Sequence, residues 1–561
     1  MPEETSRQNF RYARFDNDDL TLQSLSPAPA VPDVFFSDMI LQRLREHDPS
    51  SVILRHAQSG ETVTAKQLIS ISLNAAHLLT GFGLTEGDVV FAISGNRPIV
   101  SCLLLPLAAI GAVYTARSPT DSLPEMVYRV QHCDAKTILC DTQTADRAVK
   151  VAADCCSVEF IVLLGEHYDN NKSSLKPIKV LSIFEMTTHT PFIHDLPLPH
   201  ARPKEAAAYI TYTSGSTGFP KGFLKSHQNI VAVLTSYEPG SDFLGAPGDI
   251  FYCDSPPIHE VEITLLLSAM YCGYTVILEE SFDIARFPGC VEKHRITHSL
   301  LSSPETTLLA KACTRASPIS SLKRIISVGS TLPAPAVIAL QALNPNIRII
   351  HDYGMTECGQ ICAIPEDCPN MKTVGNPHQG VAIRIRSVDS GHFLGPNQPG
   401  EIEVRTTQLI LGYLRNPEAN AEHFSFDGWI RTGDLAYFDE EGLVYIVDRI
   451  KDVIKCNGVH VSPSALETLL LMEDGVEEAA VVGVPDDTEG EVPWAFVVFK
   501  NRDLPHDDDQ LQRDINLQVG LASHLRRIVV LESIPKSGIG KFDRKALRAL
   551  YQPEYAGTSS T

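Results

Sequence analysis

Apolar residues in the first third of the chain alternate between helical spacing and short continuous runs. Residues 65–81 have the spacing of an amphipathic helix, and a second helical segment begins at Pro98. Continuous apolar runs lie at 89–93, 137–140 and 160–164. Strands that are buried on both faces give such runs, and their alternation with helices predicts a parallel or mixed sheet.

The pattern changes twice farther along the chain. The segment 169–203 is polar and contains several prolines, which predicts a surface connection, and a second alternating series follows at 209–353. After 396–400 the pattern becomes one of short alternating strands, such as 401–405 and 443–447. This change predicts strands that are buried on one face only.

The last part of the chain has the pattern of a small α+β unit. A helix is predicted at 463–472, and strands are predicted at 478–484 and 493–500. We therefore predict an α/β protein with a large N-terminal domain of mixed sheets flanked by helices, residues 1–448, and a small α+β C-terminal domain, residues 449–561.

Composition narrows the function. The 561 residues are 43% hydrophobic and 20% charged, which is typical of a globular protein. The formal net charge of −21 argues against nucleic acid as a partner, because phosphate binding needs a basic face. An anionic cofactor would then have to be held by a locally basic, glycine-lined site.

Cysteine usage and the absence of targeting signals indicate a cytoplasmic protein. The thirteen cysteines are scattered, which indicates a reducing compartment, and Cys358, Cys362 and Cys368 lack the paired spacing of a zinc site. Residues 1–30 lack the apolar core of a signal peptide, and the chain does not end in the Ser-Lys-Leu peroxisomal tripeptide. We expect no transmembrane segment.

The strongest local motif is the Gly-, Ser- and Thr-rich loop at 211–222. It directly follows the apolar run 206–210, which argues against a flexible linker. Small residues let the backbone approach phosphates closely, and hydroxyls, N–H groups and one lysine donate to them. The candidate phosphate-binding residues are Thr213, Ser214, Gly215, Ser216, Thr217, Gly218 and Lys221.

Five motifs in one order make a family recognisable. The segments 211–222, 351–357, 428–434, 448–455 and 535–541 resemble the phosphate loop, the Tyr-Gly-x-Thr-Glu segment, the ribose segment, the hinge and the C-terminal lysine loop of the adenylate-forming superfamily. This superfamily includes acyl-CoA synthetases, 4-coumarate–CoA ligases, firefly-type luciferases and peptide-synthetase adenylation domains. The resemblance implies a nucleotide- and acid-binding N-terminal domain and a mobile C-terminal lid domain.

The resemblance also implies roles for single residues in adenylation. Lys541 would bridge the acid and the α-phosphate, Thr356 would bond the α-phosphate, and Glu357 would bind the Mg²⁺ that accompanies ATP. Asp434 and Arg449 would hold the ribose hydroxyls. The other nucleotide-site positions implied by the motifs are Gly329, Ser330, His351, Asp352 and Tyr353.

A second set of residues is implied for transfer to a thiol. Lys451 lies where the C-terminal domain of the family pivots, and Lys455, Asn457 and Gly458 lie where related ligases line the pantetheine approach. The glycine would let a slender tunnel pass close to the backbone. With no fused carrier domain after Lys541, free coenzyme A is the expected acceptor.

The match departs from the family near the acid pocket. His259 aligns with a histidine beside this pocket, but Glu260 and Glu262 follow where the family has apolar or small residues. These glutamates either face solvent or a basic group, or indicate an acid with a polar or cationic portion. His351-Asp352 also replaces a common Gln-Gly, and Ser118-Pro119 replaces a common Asn-Pro.

The predicted reaction is ATP-dependent activation of a small carboxylic acid to an acyl-AMP, followed by transfer to coenzyme A, which gives acyl-CoA, AMP and pyrophosphate. The acid itself, whether fatty, aryl or polar-substituted, stays open. One alternative is transfer to an amine, a carrier protein or oxygen. Another is a non-catalytic acyl-nucleotide binding protein, which would not need Lys221, Glu357, Asp434, Arg449 and Lys541 together.

Overall fold

The computed structural model describes residues 7–166, 176–188, 199, 201–213, 220–236, 244–315, 317–329, 332–365, 368, 370, 372–473, 475–500, 507–536 and 542–550. Within these ranges, the strands in chain order are β1 (Arg7–Asn9), β2 (Ala13–Asp16), β3 (Thr21–Ser24), β4 (Val52–His56), β5 (Thr62–Thr64), β6 (Val89–Ile93), β7 (Val113–Arg117), β8 (Thr137–Asp141), β9 (Phe160–Leu164), β10 (Ile178–Leu181), β11 (Ala207–Thr213), β12 (Lys221–Ser226), β13 (Ile250–Cys253), β14 (Thr275–Leu278), β15 (His298–Ser302), β16 (Arg324–Val328), β17 (Arg348–Met355), β18 (Gly359–Ala363), β19 (Asn376–Pro377), β20 (Ala382–Arg386), β21 (Phe393–Leu394), β22 (Gly400–Arg405), β23 (Gly412–Tyr413), β24 (Ile430–Phe438), β25 (Val444–Arg449), β26 (Ile454–Cys456), β27 (Val459–Val461), β28 (Val476–Asp486), β29 (Gly490–Phe499) and β30 (Arg527–Val530).

The helices of the same ranges are α1 (Phe36–Glu46), α2 (Ala65–Gly81), α3 (Pro98–Cys102), α4 (Leu104–Ala109), α5 (Leu123–His132), α6 (Ala145–Ala153), α7 (Ile183–Thr188), α8 (His227–Thr235), α9 (Glu260–Cys272), α10 (Phe287–His294), α11 (Ser303–Ala312), α12 (Ala334–Leu343), α13 (Pro417–His423), α14 (Pro463–Met472), α15 (Asp508–Asn516) and α16 (Arg544–Ala549). A short 3₁₀ turn lies at Leu521–Ser523.

Two mostly parallel sheets form the larger part of the molecule. The phosphate-loop sheet has the order β10-β9-β8-β6-β7-β11-β12-β23, and the central sheet has the order β19-β18-β17-β16-β15-β13-β14-β4-β5. Residues of both sheets contribute to one buried apolar cluster, together with residues of helices α1, α2, α4 and α9. Every residue of β7, β8 and β9 is buried, as expected for strands covered on both faces.

Two further sheets complete the fold. An antiparallel sheet has the order β1-β2-β3-β20-β22-β24-β25, with β21 beside β20, and the C-terminal sheet has the order β27-β26-β29-β28, with β30 beside β29. The fold is therefore α/β, with a large N-terminal domain and a small C-terminal domain, as predicted.

Several elements have the bounds that their patterns predict. Helix α2 occupies Ala65–Gly81, and its first turn is fixed by a capping box in which Thr64 and Gln67 bond each other's backbone N–H. Its buried Leu68, Ile71 and Leu79 each stabilise the fold by about 1.5–3 kcal/mol. Helix α14 and strands β6 and β9 also begin and end as predicted.

Two expectations about secondary structure were incomplete. The segment 169–203, predicted as a surface connection, contains β10 and α7, because β10 adds an edge strand that pairs in parallel with β9. The helical segment from Pro98 is two short helices, α3 and α4, which meet at Leu103. Strands β1 to β3 were not predicted either, since β3 is held by distant β20.

The carboxyl ends of the parallel strands indicate where a binding site is expected. Strands β14, β13, β15, β16 and β17 run parallel to one another, so the residues after each strand meet at one edge of the central sheet. In open α/β sheets, ligands bind at this edge. The sequence-predicted Gly329, Thr356 and Glu357 all follow these strands.

Among the described residues, no helix combines the length and the apolar character that crossing a bilayer requires. In the same part of the chain, no group of three or more His, Cys, Asp or Glu side chains is placed to hold a metal ion. The thiols of Cys358, Cys362 and Cys368 are buried, and none of them forms a disulfide with another described residue.

Candidate active site

The predicted phosphate loop lies between β11 and β12 in the sequence. These strands are antiparallel, and Thr213 at the end of β11 lies opposite Lys221 at the start of β12. Residues 214–219, which include Ser214, Gly215, Ser216, Thr217 and Gly218, lie outside the described residues. The Lys221 ammonium lies 5.3 Å from the centre of the Tyr413 ring. The positive charge of Lys221 therefore lies at the end of the loop.

Three residues from three predicted motifs meet on one side of the cleft, which we call the nucleotide side because the sequence predicts that it binds the nucleotide. Asp434 on β24 lies across from Arg449 on β25, and its Oδ1 is 2.7 Å from the Arg449 Nε. The Tyr353 hydroxyl donates to Asp434 Oδ2 at 2.6 Å. Burial raises the pKa of Asp434, and Arg449 opposes that rise. A carboxylate has about four acceptor positions, so Asp434 can accept further hydrogen bonds, as from a sugar diol.

Glu357 follows β17 in the turn that begins at Thr356, and both residues line the cleft. The Tyr413 hydroxyl donates to Glu357 Oε1 at 3.2 Å, and burial raises the pKa of Glu357. Tyr413 thus contacts both Glu357 and Lys221. The sequence did not identify Tyr413, because it lies on the two-residue strand β23, outside every motif.

The donor set around Glu357 fits Mg²⁺ bound with nucleotide phosphates. Mg²⁺ commonly takes one or two protein carboxylates and completes its shell with water and phosphate oxygens. Glu357 offers a hard oxygen ligand on the cleft wall, and the described residues hold no ready-made cage of three or more side chains. A metal that arrives with the nucleotide suits this arrangement.

His351 and Asp352 are buried in β17, on the cleft wall. The Asp352 carboxylate accepts a hydrogen bond from Gln360 at 3.0 Å and lies 3.1 Å from the His378 ring nitrogen. Gly329, after β16, has a φ of +90°, which favours glycine. Ser330 lies outside the described residues.

The segment between the N- and C-terminal domains carries Lys451, which is exposed in a turn after β25. Nearby, Asp448 accepts hydrogen bonds from the Ser462 hydroxyl at 2.7 Å and from the Ser464 N–H at 2.9 Å. The carboxylate thereby joins the end of β25 to the first turn of α14. Sequence reasoning placed Asp448 in a motif but missed this contact, for which the helix-capping residue Ser462 was the available signal.

Lys455, Asn457 and Gly458 lie on the β26–β27 hairpin. Asn457 and Gly458 have φ values of +50° and +74° and form its two-residue turn, a conformation that Asn-Gly sequences favour. A Cβ placed on Gly458 would meet nothing within 4 Å, so the backbone turn explains the glycine without a narrow passage. Lys541 lies outside the described residues.

His259, the residue before α9, lines the side of the cleft that we call the acid side, because the sequence predicts that it binds the acid. Glu262 Oε2 accepts from the His259 N–H at 3.1 Å, which closes the first turn of the helix. Glu260 Oε1 lies 2.5 Å from the ammonium of Lys225 on β12, and both side chains are buried, with 11% and 2% of their surfaces exposed. Solvent exposure, one of the expectations for these glutamates, is therefore wrong for Glu260, which faces a basic group. Lys225 was missed, since nothing in its local pattern marks it.

Burial also raises the pKa values of two carboxyl groups on the acid side. The pKa of Asp254, at the carboxyl end of β13, is raised to about 7 by burial and by the charge of Glu305. The pKa of Glu262 is raised to about 8, mainly by burial. Glu305 has its own structural task, since it caps α11 by accepting from Ser302. The acid side thus holds more carboxyl groups than basic partners.

Comparison with known proteins agrees with this geometry. The family model "AMP-binding enzyme" matches residues 41–414, and "AMP-binding enzyme C-terminal domain" matches residues 465–541. 4-Coumarate–CoA ligase 2 of Oryza sativa subsp. japonica is 30% identical over 519 residues, covering 89% of this chain and 90% of the relative. 4-Coumarate–CoA ligase 1 of Arabidopsis thaliana is 28% identical and covers 95% and 96%.

A solved structure gives the same result in three dimensions. The amide bond synthetase McbA from Marinactinospora thermotolerans superposes with a TM-score of 0.79 at 26% identity, covering 92% of this chain and 99% of that one.

Proposed function

Since the chain belongs to the AMP-binding enzyme family, we propose that it joins a carboxylic acid to AMP and passes the acyl group to coenzyme A. The observation that supports this most directly is the convergence of Tyr353, Asp434 and Arg449 beside Glu357 and the end of the phosphate loop. The similar 4-coumarate–CoA ligases support coenzyme A as the acceptor.

In the first step, a carboxylate oxygen of the acid attacks the α-phosphorus of ATP. A carbon-linked oxygen–phosphorus bond forms, and the bond from the α-phosphorus to pyrophosphate breaks, so pyrophosphate leaves with the electron pair. Two anions must approach each other, and positive charge between them lowers the barrier. We assign this task to Lys541, where one contact at about 4 Å contributes roughly 4 kcal/mol at an effective dielectric near 20, or about a thousandfold in rate.

The residues of the nucleotide side hold the nucleotide. In this proposal Asp434 and Arg449 bond the ribose hydroxyls, Gly329 lies beside the adenine, and Thr356 and Lys221 hold the phosphates. Glu357 would hold Mg²⁺, which neutralises phosphate charge when it is bound.

In the second step, the sulfur of coenzyme A attacks the acyl carbon. The carbon–sulfur bond forms, the bond from carbon to the AMP oxygen breaks, and the thiol proton passes to solvent. We propose that residues 449–561 turn about Lys451 relative to residues 1–448 between the two steps. Lys455, Asn457 and Gly458 then line the pantetheine approach.

The test measures pyrophosphate release over a panel of fatty, aryl, hydroxylated and aminated acids, first without and then with coenzyme A. Acid-dependent release, followed by thioester formation and AMP release with coenzyme A, is expected. Lys541→Ala should lose about a thousandfold in acyl-AMP formation and keep ATP binding. Amide formation with an added amine, in place of thioester, would support the activity named for McbA. No release with any acid would contradict the proposal.

A further inference from the structure

Tyr413 lies between two charged residues of the cleft wall, Lys221 and Glu357. Its hydroxyl donates to Glu357 Oε1 at 3.2 Å, and the Lys221 ammonium lies 5.3 Å from the centre of its ring. In the described part of the chain, Lys221 and Glu357 form no ion pair with each other. One tyrosine side chain therefore links a basic and an acidic group that do not pair directly.

The backbone around Tyr413 joins the two elements that carry these charges. Strand β23, which contains Tyr413, pairs antiparallel with β12, the strand that begins at Lys221. Three residues before Tyr413, the N–H of Ile410 donates to the backbone carbonyl of Glu357 at 2.9 Å. The segment 410–413 is therefore hydrogen-bonded to both elements, and it fixes the distance between them.

The Tyr413 side chain is also held in one orientation. Its ring packs against Phe223 and Phe424, with centroid distances of 5.1 and 5.9 Å, and the residue is only 4% exposed. Asn420 accepts from the Tyr413 N–H at 2.7 Å and donates to the Tyr413 carbonyl at 3.2 Å. A ring packed in this way cannot turn its hydroxyl away from Glu357 without displacing its neighbours.

The charges of Lys221 and Glu357 would neutralise each other if they met. Opposite charges attract strongly where water is scarce, and a paired ammonium and carboxylate have fewer positions left for other partners. Tyr413 gives each of them a neutral partner, because the face of its ring attracts a cation and its phenol donates to a carboxylate. Both residues thereby keep their charge in the cleft.

We propose that Tyr413 is a positioning residue that keeps Lys221 and Glu357 apart, so that the ammonium stays available to the nucleotide phosphates and the carboxylate to their metal. The hydroxyl of Tyr413 orients Glu357, and its ring orients Lys221. This inference rests on the proposed function and assigns a task within it to a residue that lies outside every sequence motif.

The experiment measures the equilibrium binding of ATP by calorimetry, once with excess Mg²⁺ and once with a chelator and no divalent metal. We call the ratio of the two affinities the metal enhancement, and a comparison between variants uses the same two ligands throughout. Tyr413→Phe keeps the ring and removes the hydroxyl. Its metal enhancement should fall about tenfold, with metal-free ATP binding unchanged, because only the hydrogen bond to Glu357 is lost.

A second variant, Tyr413→Leu, removes the ring as well and allows Lys221 to pair with Glu357. Metal-free ATP binding should then fall about tenfold, because the ammonium is occupied by the carboxylate. In a Glu357→Gln background, the same change at Tyr413 should leave metal-free ATP binding unchanged within about twofold, since no carboxylate charge remains there. A general loss of structure would not depend on the charge of Glu357.

The matched control is Tyr445→Phe. The Tyr445 hydroxyl also donates to a carboxylate, Asp439 Oδ2, at 2.8 Å, but neither residue is among those that line the described cleft. This variant should leave both ATP affinities unchanged. Melting temperatures of all variants show whether the folded protein was tested.

Three results would overturn the inference. In the first, Tyr413→Phe weakens ATP binding by the same factor with and without Mg²⁺, so that Tyr413 only supports the fold. In the second, Tyr413→Leu weakens metal-free binding equally in the wild-type and Glu357→Gln backgrounds. In the third, the wild-type protein binds no ATP or shows no metal enhancement.

The proposed function is judged by a different measurement, acid-dependent pyrophosphate release. If ATP binding responds to the variants as expected but no acid gives release, the proposed function fails and the role of Tyr413 in the nucleotide site stands. If acids are activated but the binding ratios do not respond to changes at Tyr413, the proposed function stands and this inference fails.

Discussion

The two sides of the cleft differ in how their charged groups are satisfied. On the nucleotide side, Asp434 accepts from Tyr353 and pairs with Arg449. On the acid side, Asp254 and Glu260 each keep a buried oxygen with no partner among the described residues. A wall whose groups are already paired has the same form for every substrate acid. A wall with unpartnered buried carboxyl oxygens carries a desolvation cost that the described residues do not offset.

Strand geometry explains the difference. Asp434 and Arg449 are neighbours across the antiparallel strands β24 and β25, so the register of one strand pair places them together. The acid side is built from residues at the ends of parallel strands and the starts of helices, where each element brings its charge independently. On this side, oppositely charged groups meet only when distant parts of the chain come together, as Lys225 and Glu260 do.

The largest effect should come from breaking the paired side. Asp434→Ala removes the acceptor for Tyr353 and leaves Arg449 without its ion pair. The variant also loses the hydrogen bonds to the ribose hydroxyls that we propose for Asp434. Two hydrogen bonds to a charged group contribute about 1.5–3 kcal/mol each, so kcat/KM for ATP should fall by roughly 100-fold or more. Pyrophosphate release at varied ATP concentration measures this loss.

As a control, the activity of Asp434→Ala is measured with every acid of the panel. All acids should lose activity by the same factor, because the nucleotide side is shared by all of them. Tyr353→Phe removes one hydrogen bond only and should lose less, about tenfold. A change in the ranking of acids in Asp434→Ala would mean that the two sides are not independent.

The paired side was also the more predictable one. The sequence placed Tyr353, Asp434 and Arg449 in separate motifs and gave each a nucleotide-site position, and the structure brings them within hydrogen-bond distance. Local patterns predicted α2, α14, β6 and β9, because their apolar spacing and capping residues are local properties. Fold class followed from the alternation of these elements.

The rest depends on distant contacts that no local pattern records. Strands β1 to β3 exist because β3 pairs with β20, more than 350 residues away in sequence. Lys225 in β12 has no local signal, since its partner Glu260 lies on another element. Tyr413 was missed for the same reason: it meets Glu357 and Lys221 only in the folded chain.

A smaller effect should appear in the pH dependence of stability. The pKa of Asp254 is raised to about 7 and that of Glu262 to about 8, chiefly by burial, so the folded protein holds protons that the unfolded chain releases above its ordinary carboxyl pKa values. Stability from these groups is present at low pH and is lost as the pH rises through about 5 to 8. The melting temperature should therefore fall by several degrees between about pH 5.5 and about pH 8.5.

The matched variant is Asp254→Asn/Glu262→Gln, which keeps both side-chain shapes and removes both protons. Other groups titrate in the same range, so the informative quantity is the difference in melting temperature between variant and wild type. That difference should grow in favour of the variant as the pH rises. A difference that is constant with pH would contradict the raised pKa values of this wall.

The smallest effect should come from Glu262→Gln alone, measured at about pH 6. Below its pKa of about 8 the Glu262 carboxyl is neutral in the folded protein, so glutamine replaces a neutral group of the same shape. The amide oxygen can still accept from the His259 N–H, which keeps the first turn of α9 closed. We expect a change in melting temperature of about one degree or less and an unchanged ranking of acids, because Glu262 serves its own helix. Glu262→Ala, which loses the acceptor, should cost about 1 kcal/mol of stability. If Glu262→Gln instead shifts the ranking of acids, helix capping is not the full role of Glu262.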